Sequence, residues 1–347
     1  MEAVDRDNML GHIDALADQF ANAWQHAQSL PLPETHRTPR HIVLAGMGGS
    51  AIGGDLTAAL LASTSPVPFT VVRGYSLPAY VRGEDTLVIA SSHSGNTEET
   101  LAAADLALER GVRLLAITTG GALAEHAERH GYPLWAFSYA SQPRAALGWS
   151  FGLLIGLAHR LNLAPSLEAD LEEGVALLRE KRALYGADNP TVNNPAKRGA
   201  GQLIGRVPLI FGAGIFEPVA RRWKGQFNEN AKAWAEFEPL PEANHNTVSG
   251  FGWPMDNGLM LSAQFITSAQ YDHPRVRLRH ELTYQMCLQN GIMADAFQPD
   301  GNSALAQMLH AIQYGDYVSY YTAIATDTDP TSIPQISELK SLLAARD

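Results

Sequence analysis

Cysteine, long apolar runs and a leader-like segment are scarce or absent in this sequence. Its 347 residues contain a single cysteine, Cys287, which excludes an intrachain disulfide and a metal site built from several thiolates. No run of about 18 uninterrupted apolar residues occurs, so no membrane span is expected. The acidic start, "MEAVDRDNML", lacks the basic-then-apolar pattern of a signal peptide. We therefore expect a cytoplasmic protein with Cys287 in its core.

Positive charge is also in deficit, with 25 Lys and Arg residues against 36 Asp and Glu residues and a formal net charge of −11. This balance disfavours non-specific binding to nucleic acid. The basic run "HPRVRLRH" (273–280) is interpreted as a solvated or subunit-facing element. His126 and His130 lie one helical turn apart but lack the H-E-x-x-H order of zinc proteases, so we expect no metal site.

Short apolar strands alternate with helical segments through the first half of the chain. Strands are predicted over 41–46, 68–73, 85–92, 113–119 and 133–138, with helices after the first, third and fourth of them, a helix over 8–29 before the first strand and a long helical section over 143–184. Such alternation predicts a parallel sheet with helices on both faces. The strand, glycine turn and helix of 207–223 repeat the shape of 41–56, which indicates an internal duplication.

Composition sets the expected boundaries of this organisation. A Pro-rich linker follows the first helix, and the segment "DNPTVNNPAKRGAGQ" separates the two copies. We expect an N-terminal helix and linker over 1–40, a first α/β domain over 41–190, and a second over 191–347 with a C-terminal helix.

The glycine turn "GMGGSAIGGDL" follows the first strand, where open α/β sheets bind ligands. Gly48 and Gly49 allow close approach of a ligand to the backbone, and Ser50 begins a helix whose free N–H groups favour an anion. Two other interpretations stay open at this point. One is a dinucleotide site, although Gly46, Gly48 and Ala51 give only the relaxed motif and no acidic residue ends the next strand. The other is a purely structural turn.

The loop "SSHSGNTEET" (91–100) follows the third strand and opens a helix. A capping box of Asn96 and Glu99 would explain part of it. It would not explain the hydroxyls of Ser92, Ser94 and Thr97, which are expected to converge on a helix N-terminus that favours a phosphate. The loop lacks the lysine of a P-loop.

This loop resembles the phosphosugar-binding loop of sugar isomerase (SIS) domains, S-x-S-G-x-T-x-E. Ser92, Ser94, Gly95, Thr97 and Glu99 match that pattern in place. With the duplicated layout, the chain from about residue 40 to 345 resembles bifunctional phosphoglucose/phosphomannose isomerases. The resemblance implies two tandem SIS-type subdomains, each a flavodoxin-like parallel sheet flanked by helices, with additional N- and C-terminal helices. It also implies aldose–ketose isomerisation of glucose 6-phosphate and mannose 6-phosphate to fructose 6-phosphate, without a cofactor.

The same resemblance suggests roles for individual residues. Glu229 in "NEN" corresponds to the base that moves a proton through a cis-enediolate, and His245 in "NHN" to the ring-opening histidine. In the family this histidine enters the neighbouring subunit's site, which implies a homodimer. Arg144 in "PRAAL" corresponds to a fixed positive charge near the enediolate, and Lys340 to a lysine beside the sugar. Gly48, Gly49 and Ser50 would contact the sugar, and Ser92, Ser94 and Thr97 the phosphate.

For Glu229, His245, Arg144 and Lys340 there is also a simpler interpretation, that each is an ordinary surface residue without a role in catalysis. The sequence also departs from the family: His93 stands where relatives often have tyrosine, and the spacing from Thr331 to Lys340 does not clearly match the family's epimer-tolerance threonine. Two rival functions therefore stay open. One is a non-catalytic phosphosugar sensor, since fold alone does not give activity. The other is an isomerase of a different phosphosugar.

Overall fold

The first sheet is built from the apolar runs of the N-terminal half. The computed structural model describes residue 1 and residues 3–253 and 257–346. Its first five strands are β1 (His41–Gly46), β2 (Phe69–Val72), β3 (Thr86–Ser92), β4 (Arg113–Thr118) and β5 (Leu134–Ala136). All pair in parallel, in the order β2-β1-β3-β4-β5. This is the flavodoxin-like strand order, which places the carboxyl ends of β1 and β3 side by side.

Helices cover both faces of this sheet. They are α1 (Met9–Asp14), α2 (Leu16–Ser29), α3 (Gly48–Leu61), α4 (Glu98–Glu109), α5 (Gly121–His130), α6 (Leu147–Arg160) and α7 (Leu167–Tyr185). The predicted helix over 8–29 is thus two helices that meet at Ala15. The predicted helical section over 143–184 is likewise divided, and it begins with a 3₁₀ turn at Pro143–Ala146.

Small residues bring α2 and α6 into close contact. A Cβ atom at Gly152 would lie 2.8 Å from the Cβ of Ala23, and one at Gly156 would lie 2.4 Å from the Cβ of Ala27. Only glycine on α6 allows this separation without displacing α2. Helix α2 therefore packs directly against the first domain.

The second sheet repeats the arrangement of the first. Its strands are β6 (Val207–Ala213), β7 (Glu236–Leu240), β8 (Leu261–Ile266) and β9 (Met293–Phe297), in the order β7-β6-β8-β9. The remaining helices are α8 (Pro195–Leu203), α9 (Glu217–Asn230), α10 (Asn257–Met260), α11 (Pro274–Gln289), α12 (Ala304–Ala325) and α13 (Pro334–Ala344). The first four strands of the first sheet have the same order, as expected for an internal duplication.

Helix α12 runs through the middle of the protein and packs against α7, α8 and α9. It is buried from Leu305 to Ala323. Gly315 lies against Trp223 of α9, where an added Cβ would come within 2.2 Å of the indole nitrogen. The same nitrogen donates a hydrogen bond to the carbonyl of Ala311 at 2.9 Å. These contacts fix α9 relative to α12, and α9 carries the candidate base. Among the described residues, no helix is long and apolar enough to cross a bilayer.

Candidate active site

The serine-rich loop joins the carboxyl end of β3 to α4. Ser92 is buried, and its hydroxyl lies 2.8 Å from the Thr97 hydroxyl and accepts a hydrogen bond from the Gly95 N–H at 3.1 Å. The exposed Ser94 accepts a hydrogen bond from the Asn96 N–H at 3.2 Å. The hydroxyl groups of Ser92 and Ser94 therefore stabilise the conformation of the loop, and Ser94 is also exposed at its surface.

The predicted capping box at Asn96 and Glu99 is wrong. Thr97 is the residue that precedes α4, and its side chain makes no capping hydrogen bond to the helix. The side-chain oxygen of Asn96 instead accepts a hydrogen bond from the Ala122 N–H at 3.0 Å, in the first turn of α5. Asn96 does not cap α4 because the loop packs against the neighbouring α5, and the Asn96 side chain bonds to that helix.

The N-terminus of α4 is open, because Asn96 bonds to α5 and Thr97 makes no capping hydrogen bond. In the part of the chain that the structure describes, no group accepts a hydrogen bond from the N–H groups of Thr97, Glu98 or Glu99. Unpaired N–H groups and the helix dipole together make such an end suited to a phosphate group. The Ser94 and Thr97 side chains border the same end.

Gly95 has no substitute in this loop. Its φ is +71°, a conformation that side chains rarely adopt, and an added Cβ would lie 1.8 Å from the carbonyl oxygen of Gly120. We expect Gly95→Ala to weaken the binding of inorganic phosphate by at least ~10-fold, equivalent to ~1.4 kcal/mol, because the loop must open to relieve the clash. Isothermal titration calorimetry with phosphate measures this directly.

Gly111 provides the matched control for that substitution. It has a similar φ of +65°, but nothing lies within 4 Å of an added Cβ. Gly111→Ala is expected to cost about 1 kcal/mol of folding stability from backbone strain alone and to leave phosphate binding unchanged. Equal phosphate affinities for the two variants would show that this loop does not bind phosphate.

The first glycine turn lies beside the serine loop. Gly48 has a φ of +47° and open space around its missing side chain. A Cβ at Gly49 would lie 3.0 Å from the carbonyl carbon and oxygen of Pro143, so glycine lets α3 approach the turn that carries Arg144. The buried Ser50 hydroxyl accepts a hydrogen bond from the His93 N–H at 3.1 Å. Ser50 thereby joins the glycine turn to the serine loop.

Arg144 and Glu229 meet across the boundary between the two domains. Arg144 is 3% exposed; its Nη1 donates a hydrogen bond to Oε2 of Glu229 at 3.2 Å, and its Nε donates to Oδ1 of Asn230 at 2.8 Å. Its Nη2 donates to the backbone carbonyls of Pro330 and Thr331, both at 2.7 Å. Burial lowers the pKa of Arg144 and the adjacent Glu229 carboxylate opposes that effect, but a guanidinium stays charged in proteins.

A second set of buried groups holds this pair in place. Arg222 donates hydrogen bonds to the Arg144 carbonyl at 3.1 Å and to Asp316 of α12 at 2.7 Å. The other carboxylate oxygen of Asp316 accepts a hydrogen bond from Gln226 at 2.8 Å. The sequence did not predict this set, because Asp316 lies 94 positions beyond Arg222 and neither stands in a recognisable motif.

The sequence also indicated no role for Lys232, which contacts the backbone of the candidate base Glu229. Its ammonium group donates hydrogen bonds to the carbonyl of Glu229 at 3.0 Å and to the carbonyl of Asp329. Burial lowers the pKa of Lys232. Lys232 therefore ties the last turn of α9 to the segment that leads into α13. Lys232 has a positive φ of 52°, which the sequence does not reveal.

A cavity of about 210 Å³ opens between α3 and α9 at this position. Gly48, Gly49, Arg144 and Glu229 all line it, so four of the sequence-predicted residues are brought together. Glu229 is partly exposed, with 30% of its side chain accessible, and can therefore meet a molecule in the cavity. A carboxylate held beside a fixed guanidinium can accept a proton while the guanidinium stabilises the oxyanion that results.

His245 and Lys340 do not line this cavity. His245 is exposed on the 3₁₀ turn Glu242–His245, and Lys340 is exposed on α13. Thr331 lies at the site and is 7% exposed; its hydroxyl has no partner among the described residues. His93 packs edge-on against Phe137, with ring centroids 5.7 Å apart. Burial lowers its pKa.

Comparison with known proteins assigns this fold. The SIS domain family matches residues 37–132, and the family described as the bacterial phospho-glucose isomerase C-terminal SIS domain matches residues 192–343. A hypothetical protein from Thermus thermophilus has a similar structure, with a TM-score of 0.75 and 18% identity, covering 97% of this chain and 90% of that one. The fold is therefore that of a protein with two SIS domains, as the sequence indicated.

Two curated proteins resemble the chain more specifically. A bifunctional phosphoglucose/phosphomannose isomerase from Caldicellulosiruptor bescii is 38% identical over 332 residues, which cover 95% of this chain and 97% of that protein. A D-glucosamine-6-phosphate 4-epimerase from Sulfolobus acidocaldarius is 33% identical over 233 residues, covering 67% and 70%. The chain belongs to the family of bifunctional phosphoglucose/phosphomannose isomerases.

Proposed function

We propose that the protein interconverts glucose 6-phosphate and mannose 6-phosphate with fructose 6-phosphate. The observation that carries this proposal is the cavity in which Glu229 and Arg144 face Gly48 and Gly49. Ser50, the next residue along the chain, joins this glycine turn to the serine loop. An aldose–ketose isomerase of phosphosugars needs a phosphate site and a base held beside a positive charge. The open N-terminus of α4 and the Glu229–Arg144 pair support these two requirements, and related proteins of the family carry the corresponding names.

The proposed chemistry begins with the open-chain aldose held by its phosphate at the serine loop. The Glu229 carboxylate removes the proton from C2, the C–H electron pair forms the C1–C2 double bond, and the C1 carbonyl oxygen becomes an oxyanion. Arg144 stabilises this cis-enediolate, because a buried guanidinium is a strong fixed charge. A proton then moves from O2 to O1, and Glu229 returns its proton to C1 to give the ketose. No metal or cofactor takes part in this scheme.

We further propose that the active form is a homodimer in which His245 enters the partner's site and opens the sugar ring. Within one chain His245 and Lys340 are exposed and lie apart from the cavity lining. Helix α13 also exposes apolar side chains, with Leu339 and Leu343 accessible at 57% and 50%. A second copy that covers such surfaces would complete the site. We also propose, from the sequence, that the protein acts in the reducing cytoplasm.

The alternative of a different phosphosugar reaction is favoured by one observation, the similarity to the D-glucosamine-6-phosphate 4-epimerase. The test is therefore fructose 6-phosphate formation from each aldose 6-phosphate separately, with EDTA present. We expect turnover of both sugars at rates that the chelator does not change. Turnover of glucose 6-phosphate alone would remove the mannose activity. Binding of both sugars without turnover of either would favour a sensor or another reaction.

A further inference from the structure

Cations outnumber carboxylates around the candidate site. Among the residues that the structure describes, five cationic side chains line the cavity: Arg73, Arg144, Arg221, Arg222 and Lys224. Three carboxylates pair with four of them: Glu229 with Arg144, Asp316 with Arg222, and Asp55 with both Arg73 and Arg221. Five positive charges less three negative ones leave two in excess, in a protein whose net charge is −11.

The cations that are not fully neutralised, Arg221 and Lys224, lie close together on α9. Asp55 on α3 accepts hydrogen bonds from Arg73 at 2.5 and 3.3 Å, and Arg221 of α9 lies 3.6 Å from the same carboxylate. At that distance Arg221 makes an ion pair without a hydrogen bond, and it has no hydrogen-bond acceptor among the described residues. Lys224, one helical turn further along α9, has no ion-pair partner within the described ranges. The donors of both side chains are thus available.

Arg73, Arg221 and Lys224 form a basic cluster beside the cavity at Glu229. Arg73 and Arg221 line the cavity at Glu229 and also an outer cavity of about 790 Å³ between α3 and α9. The guanidinium of Arg221 is held over the ring of Phe237, 4.9 Å from its centroid. A Cβ at Gly225, on the same face of α9, would meet nothing within 4 Å. The cluster is therefore anchored but borders open space.

The cluster also lies at a suitable distance from the serine loop. Ser50 contacts that loop, and Asp55 follows five residues later on α3, which corresponds to roughly 7–8 Å along the helix axis. Gly49 and Glu229 line the same cavity as Arg73 and Arg221, so a hexose in this cavity whose phosphate is bound at the loop would have its far end near the basic cluster.

We propose that Arg73, Arg221 and Lys224 form a second anion subsite, which binds the second phosphate of a sugar bisphosphate whose first phosphate occupies the serine loop. Guanidinium groups suit this role because they bind phosphate oxygens with paired, charge-assisted hydrogen bonds. Asp55 holds the arginines in place when the subsite is empty and competes with the incoming phosphate. The proposal rests on the isomerase function proposed above, and it makes sugar bisphosphates competitive inhibitors that span the site.

The test compares fructose 1,6-bisphosphate with glucose 6-phosphate on the full-length protein. In wild type we expect competitive inhibition by the bisphosphate. In Arg221→Gln and Lys224→Gln, the inhibition constant should rise at least ~10-fold more than the KM for glucose 6-phosphate. Arg179→Gln, which removes an exposed cation paired with Asp18 elsewhere on the protein, should change neither constant. Equal increases in both constants would overturn the proposal, because the cations would then serve the substrate's own phosphate.

The Asp55→Asn variant distinguishes two roles for the basic cluster. The cluster either binds a phosphate group or only forms ion pairs that link the two domains. If the cluster binds phosphate, removing the competing carboxylate should tighten bisphosphate binding. If the ion pairs only hold the domains together, their loss should weaken it, and that result would overturn the proposal. Calorimetric titration of the bisphosphate keeps this test separate from the function proposed above. Binding that depends on Arg221, in a protein without isomerase activity, would remove the isomerase proposal and leave the subsite.

Discussion

Replacing Glu229 with glutamine is expected to lower kcat for both aldose 6-phosphates by on the order of 10²–10⁴-fold, the usual contribution of a general base. Glutamine keeps the length of the side chain and an oxygen that can accept the hydrogen bond from Arg144, which is 3.2 Å from the carboxylate in the structure. It cannot take a proton from carbon. Steady-state assays should therefore show a fall in kcat with little change in KM.

Glu236→Gln is the matched control, because it makes the same chemical change at the beginning of β7, away from the carboxyl ends of the strands. It should retain wild-type rates. Circular dichroism and thermal unfolding should show both variants folded. Retention of more than a tenth of the wild-type kcat by Glu229→Gln would assign the base to another residue.

Two inactive variants are expected to restore activity when they are joined in one dimer. We consider a heterodimer of a Glu229→Gln chain and a His245→Ala chain, isolated with two different affinity tags. If His245 acts in the partner's site, one of the two sites contains both an intact Glu229 and an intact His245. The heterodimer should then show about half the activity of the wild-type dimer, since two-fold symmetry gives two equivalent sites.

The reciprocal combination tests the same point with the opposite outcome. A chain carrying both substitutions is joined to a wild-type chain. If the histidine is shared, each site lacks one of the two groups and the heterodimer is inactive. If His245 acts within its own chain, this second heterodimer is half active and the first one is inactive. A protein that stays monomeric at assay concentrations, as judged by light scattering, would also contradict the shared-site proposal.

The first domain was predictable from sequence because its strands are short and apolar and because β1, β3 and β4 are almost completely buried. β3 is buried at every position, so "TLVIASS" could hardly be anything else. In the second domain the strand within "EFEPL" was not recognised, since most of β7 is only half-buried and carries two glutamates. Burial differences of this kind come from tertiary packing and leave no local pattern.

The candidate site was predictable only as a set of separate motifs. The segments "NEN" and "PRAAL" match family patterns and singled out Glu229 and Arg144 as candidate site residues. The structure places these two side chains within hydrogen-bond distance of each other. The roles suggested for them, and for His245 and Lys340, stay predictions. No local pattern indicated Lys232 or the Arg222–Asp316 pair, because such contacts join segments that the chain brings together only on folding. Asn96 shows the converse, a local capping pattern overridden by a contact with α5.

The guanidinium of Arg144 also grips the backbone at Pro330 and Thr331, 186 and 187 residues further along the chain. Those carbonyls are at the root of α13, just before the helix that exposes Leu339 and Lys340. One side chain thus contacts both the cavity and the segment that leads into α13. If a ligand in the cavity changes how firmly Arg144 holds that segment, thermodynamic linkage requires the packing of α13 to change the ligand's affinity by the same factor.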